Sequence, residues 1–155
     1  MAACRREPRD GYQRLAIPQF QNLTGDKELD WWGAAVAELV AAAATGAPRV
    51  HPLRVPSWWD GPAVRATHIL HGTIWRGGPR LRLEATLEDR RRGRIEKVAV
   101  VEEPGPGGPA VLADRLAAEL GLRARPVAGY RSEAVRAYVE AASSRDPAGL
   151  LEKAV

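Results

Sequence analysis

With 155 residues, 45% of them apolar and 27% charged, the chain is long enough for one domain with a substantial core and is excluded from the disordered class. Its net charge of +4 arises from 20 Arg and 3 Lys set against 19 acids, and Arg scattered in this way suits a solvated surface as well as phosphate, so nucleic acid is not the expected partner. No window approaches 18 uninterrupted apolar residues, so the sequence holds no transmembrane helix, and a single cysteine rules out an internal disulfide or a cysteine-based zinc site within it.

Residues 1–13 are polar and basic and read as a flexible tail. Within it, Met1-Ala2-Ala3-Cys4 has the small-small-Cys ending of a bacterial lipoprotein signal without the charged and apolar segments that should precede it. Two expectations follow. With Met1 as the native start, Cys4 is an incidental thiol and the protein is cytoplasmic. With a trimmed start, Cys4 is the lipidated residue of a cell-envelope lipoprotein.

The run 14–20 suits a short buried strand limited by Pro18, and 22–26 (NLTGD) carries strong turn chemistry. From Leu29 the spacing turns helical, with Asp30 as the expected N-cap and Trp32, Val36, Leu39, Val40 and Ala43 on one face, until Gly46 and Pro48. Residues 49–55 form a second strand in the order of a βαβ crossover. After Trp58-Trp59-Asp60-Gly61-Pro62 there is room only for a short helix. The centre of the chain is a three-stranded antiparallel meander: Thr67 to Trp75, then Leu81, Leu83, Ala85 and Leu87 alternating with Arg82, Glu84, Thr86 and Glu88, then Ile95 to Val101. A Gly/Pro-rich connector, 102–109, leads to a helix over 110–122 ending at Gly121. Ser132-Glu133 opens a further helix, and Asp146-Pro147 the start of another over 147–155.

Each candidate site has an ordinary structural counterpart. His68 and His71 point to opposite faces of one strand and cannot share an ion, so no metal site is expected. The serines sit where capping explains them, and no catalytic constellation or cofactor site is expected. The loop 105–109 precedes a helix but lacks a Walker lysine and has prolines in place of donors. Arg90, Arg91, Arg92 and Arg94 cluster at a hairpin tip without interleaved aromatics. Trp31-Trp32 and Trp58-Trp59 form two adjacent pairs, from which exposed anchors can come. The candidate partner-binding residues are therefore Trp31, Trp58, Trp59, Arg90, Arg91 and Arg92.

The segments RLAIPQFQNLTGDKELDWWG, ATHILHGTIWRGGPRLRLEATLED and LADRLAAELGL together resemble the TolB amino-terminal-domain-like group, related to FlgO-like and CsgG-like envelope proteins. The resemblance rests on Phe20, Asn22, Leu23, Thr24 and Gly25, on His71-Gly72, and on Arg80 to Leu83, and spans about residues 14–122. It implies an α/β (α+β) domain over 14–125, with a mixed sheet and packed helices in the order β-α-β-(α)-β-β-β-α. It also implies that the helical hairpin over 126–155 begins a tetratricopeptide repeat. The expected function is a non-enzymatic bacterial protein-interaction or scaffold domain preceding such repeats, with protein partners and no cofactor. The alternative is a small-ligand or nucleotide-binding regulatory domain using the Asn22 to Asp26 loop and the helix start near Asp30.

Overall fold

The computed structural model describes residues 11–102 and 107–144. In chain order they form β1 (Gln13–Ile17), β2 (Gln21–Asn22), α1 (Asp30–Ala44), β3 (Val50–Arg54), β4 (His68–Gly77), β5 (Arg80–Asp89), β6 (Arg94–Glu102), α2 (Gly108–Glu119) and α3 (Ser132–Ser144), with 3-10 turns at Lys27–Leu29 and Trp58–Asp60. The sheet runs β3-β1-β4-β5-β6, and β2 pairs with β4 beyond the end of β1. β1 is parallel to both its neighbours, whereas β4, β5 and β6 are antiparallel. The expected mixed sheet with its antiparallel meander is thus the architecture observed.

Alternation along the strands sends Leu15, Ile17, Leu70, Ile74, Leu83, Ala85, Leu87, Ala99 and Val101 to one face, where they join the buried side chains of α1 and α2 in the main core. The alanines of α1 and α2 carry little side-chain bulk, so the two helices lie close together over the sheet. Val135 and Val139 of α3 are buried in the same cluster. On the other face, Ala16, Val55 and Ile69 make a small second cluster under Val64 and Ala66 of the β3–β4 connection. Beyond that patch no helix covers the outer face among the described residues.

The loop motif is a piece of wiring. Asn22 donates through Nδ2 to the Asp26 carbonyl (2.9 Å) and to Asp30 Oδ1 (2.7 Å), while its Oδ1 accepts from the Thr24 amide (3.0 Å) and hydroxyl (2.6 Å). Asp26 in turn accepts from the Glu28 amide and from Arg76 on β4. Asp30 is therefore the first residue of α1, tied to Asn22, and not its N-cap. That position falls to Leu29, because the 3-10 turn capped by Asp26 feeds straight into the helix.

Two glycines seat Phe20 beneath that loop. A Cβ at Gly33 would lie 2.0 Å from the Phe20 carbonyl oxygen, and the Phe20 amide donates to the Gly33 carbonyl at 3.1 Å. A Cβ at Gly72 would lie 2.5 Å from the Phe20 ring, so this bare strand position is where the ring rests. At the far end, Gly121 (φ +70) closes α2 in a Schellman arrangement, with Leu122 donating to Ala117 (2.8 Å) and Gly121 to Ala118 (3.0 Å). The chain then crosses the C-terminus of α1, where Ala124 donates to the Ala43 carbonyl (2.8 Å) and Arg125 Nε to that of Ala42 (2.9 Å).

Candidate interaction surface

The outer face of the meander carries Ile69, His71, Thr73 and Trp75 from β4, Arg82, Glu84, Thr86 and Glu88 from β5, and Val98 and Val100 from β6, as the registers require. The Arg82 guanidinium stacks 4.9 Å from the centre of the Trp75 ring and also pairs with Glu102. Val98 and Val100 are 52% and 51% exposed on the edge strand, an apolar pair left in solvent because their partners across β5 are Thr86 and Glu84.

Toward the start of β4 this face deepens into a groove of about 1080 Å³. Its lining includes Asn22, Asp30, Trp59, His71, Glu88 and Arg90. His71 Nε2 lies 3.9 Å from Glu88 Oε2. Trp59 is 64% exposed and projects from the 3-10 turn, which is held by the Ser57 amide donating to Asp60 Oδ2 at 2.9 Å.

Of the candidate partner-binding residues, the structure brings Trp59 and Arg90 to the same groove although 31 positions separate them. Arg91 and Arg92 turn back on Asp89, their amides donating to its Oδ1 at 2.9 and 3.2 Å. Trp31 is half-buried, edge-on to Trp32 at 6.0 Å and within 5.6 Å of the Arg136 guanidinium on α3, so it belongs to the α1–α3 contact. The side chain of Trp58, the residue Cys4 and the expected helix over 147–155 lie outside the described residues.

Two buried carboxylates complete the electrostatics. Asp114 on α2 accepts from the Val127 amide (2.8 Å) and from Arg123 (2.9 Å). Burial alone would raise its pKa, but these donors and the Arg123 charge outweigh it and hold the group below its ordinary value. Asp89 behaves in the same way: burial opposes ionisation, and the Arg92 and Arg91 amides with the neighbouring positive charge overcome it. Asp114 meets only its structural donors, whereas Asp89 lies 3.9 Å from His68 Nε2, and the Nδ1 of that imidazole is 2.9 Å from Thr67 Oγ1.

This arrangement defines an α+β domain with one helix-covered and one largely open sheet face. No protein-family model and no curated relative matches the chain. Among solved structures, PelC from Paraburkholderia phytofirmans, a dodecamer, is similar at 19% identity and a TM-score of 0.55 over 74% of this chain and 89% of that one. The LpoB C-terminal domain from Salmonella enterica is similar at 14% identity and a TM-score of 0.50, covering 61% and 84% of the two chains. TolB from Acinetobacter baumannii aligns at 14% identity with a TM-score of 0.49, over 72% of this chain and 29% of that one. The first two show that the fold is one already known in bacterial proteins.

Proposed function

We propose that the chain is a non-enzymatic bacterial protein-interaction domain that acts as a scaffold ahead of tetratricopeptide repeats, in signalling or cell-envelope assembly. The observation that carries this reading is the open sheet face, where exposed Val98 and Val100 on the edge strand continue toward the groove flanked by Trp59 and Arg90. An apolar strip beside an aromatic anchor and a guanidinium has the composition of a protein-binding surface. Among the described residues no strand pairs with the outer side of β6, an edge to which an extended segment of a partner can be added. That PelC, with the same fold, is a dodecamer supports a role in assembly. The resemblance to TolB-like envelope domains and the small-small-Cys sequence at Cys4 favour anchoring at the envelope. The helix-forming pattern of residues 132–155 favours a repeat array following the domain.

The test uses the full chain in bacterial cells, with a photo-crosslinking residue at position 100 and, as a control, at the helix-side surface position 118. Discrete crosslinked protein species at position 100 that disappear in Trp59→Ala/Val98→Lys are expected. Equal crosslinking from both positions overturns the reading. The groove gives the alternative, a small-ligand domain, its one favourable observation. Against it, the polar atoms of Asn22 already hold the loop together. Saturable thermal stabilisation by a single nucleotide or cell-wall fragment, unaffected by Trp59→Ala/Val98→Lys, would establish that alternative.

A further inference from the structure

At the end of the meander three potential ligands meet that lie far apart in sequence. His68 pairs with Asp89 across β4 and β5, which puts both on the helix-covered face. Glu96 comes to them through a bulge: Leu87 pairs with Lys97 and Glu88 with Ile95, so Glu96 is the extra residue, and a bulge re-aims the side chain it carries. One nitrogen of His68 and one oxygen of each acid all lie within 4.8 Å of one another.

The local chemistry is that of a site prepared for a cation. Asp89 is fully buried, and while its Oδ1 closes the turn by accepting the Arg91 and Arg92 amides, its Oδ2 has no hydrogen-bond partner. A buried carboxylate oxygen without a hydrogen bond is costly, and the Arg92 Nε, 3.9 Å away, is too distant to donate one. His68 is 1% exposed, and its Nδ1 lies 2.9 Å from Thr67 Oγ1. In the tautomer in which Nδ1 donates to that hydroxyl, the Nε2 lone pair faces the acids, the arrangement by which an outer hydroxyl orients a metal-binding imidazole. Nε2 is 3.5 Å from Glu96 Oε2 and 3.9 Å from Asp89 Oδ2. Both separations exceed ordinary hydrogen-bond length. They lie near the spacing of about 3.3–3.6 Å between ligand atoms on a tetrahedral ion with bonds of about 2.0–2.2 Å. Arg91 Nε at 3.6 Å from Oδ1 and Arg92 Nε at 3.9 Å from Oδ2 add positive charge that weakens, without blocking, cation binding at this end. Glu96 is partly exposed and supplies the entry path.

We infer that His68 Nε2, Asp89 Oδ2 and the Glu96 carboxylate form a binding site for a divalent transition-metal ion. One imidazole and two carboxylates favour Zn²⁺ over Mg²⁺ or Ca²⁺, which require more oxygen ligands. Three protein ligands leave one tetrahedral position to water or to a partner's side chain. An ion there ties β4 to both β5 and the bulge of β6, and so stiffens the strand end that adjoins the groove.

The full chain, carrying Cys4→Ser to remove the thiol and dialysed against a chelator, is titrated with Zn²⁺ alone by calorimetry and followed by thermal unfolding. One-to-one binding is expected, with Tm raised by about 5–10 °C at a hundredfold excess over Kd. Glu96→Gln, at a partly exposed position that the fold tolerates, should weaken binding by about tenfold or more, and His68→Gln should abolish it. His71→Gln should leave it unchanged. Absence of saturable binding, an unaltered Kd in Glu96→Gln, or dependence on His71 overturns the assignment. Should His68→Gln fail to fold, Glu96→Gln decides the matter by itself.

Discussion

Gly72→Ala tests the packing on which the loop, α1 and the sheet all depend. The added methyl would lie 2.2 Å from the Glu84 carbonyl oxygen on β5 and 2.5 and 2.8 Å from two atoms of the Phe20 ring. The ring has little room to retreat, since Phe20 is 1% exposed and its backbone is held to Gly33 on α1. Overpacking of this kind costs about 1–3 kcal/mol. Contact with an immobile carbonyl places the expected loss at the upper end, about 3 kcal/mol. For a domain of this size that corresponds to a Tm lower by about 6–12 °C. Urea unfolding followed by circular dichroism measures it, with an unchanged m-value showing that only stability has moved. Phe20→Leu alone should cost about 1–2 kcal/mol through the space it opens. Combined with Gly72→Ala it should recover about 1 kcal/mol relative to the sum, because the new methyl occupies that space. A Gly72→Ala loss below about 0.5 kcal/mol, or strict additivity in the pair, refutes the account of Phe20 resting on the bare strand position.

Gly33→Ala should be more damaging still, since its methyl meets the Phe20 carbonyl at 2.0 Å, and little soluble folded protein is the expected outcome of expression. Asp114→Ala, which leaves the Val127 amide and Arg123 without their acceptor, should cost about 1.5–3 kcal/mol by urea unfolding at neutral pH. The pKa values of Asp114 and Asp89 are depressed in the folded state. Their stabilisation is therefore complete above the ordinary value of 3.8 and is lost as pH falls from there through the lower folded values. Urea midpoints between pH 6 and pH 2 should fall across that range, and less steeply in Asp114→Asn. Arg125→Ala, which removes a donor and a positive charge from the C-terminus of α1, should cost about 0.5–1 kcal/mol, with helix content at room temperature unchanged.

The meander was legible because Leu81, Leu83, Ala85 and Leu87 alternate with charged and polar residues, and one-sided burial leaves such a pattern no other register. The C-terminal limits of α1 and α2 were legible from Gly46 and Gly121, both of which take positive φ where each helix ends. β2 was not, because two residues carry no periodicity and its pairing with β4 is made from a distance. Asp30 reads as an N-cap from composition, yet a turn upstream had already provided the cap. The groove depended on tertiary contact: nothing local joins Trp59 to Arg90. The grouping of His68, Asp89 and Glu96 was hidden for a related reason, since it requires both the β4–β5 register and a bulge that no residue of β6 announces.

The position of β1 bears on synthesis. Among the described residues it is the first strand in chain order and lies inside the sheet, yet its residues pair with β3 37 positions later and with β4 53 positions later, as Gln13 with Val50 and Leu15 with His68. At ordinary translation speeds of about 5–20 residues per second, Leu15-Ala16-Ile17 waits roughly 3–10 s for its second neighbour. Throughout that interval a strand destined for complete burial is exposed to whatever else will pair with it, which makes the nascent chain a natural client for a ribosome-bound holdase.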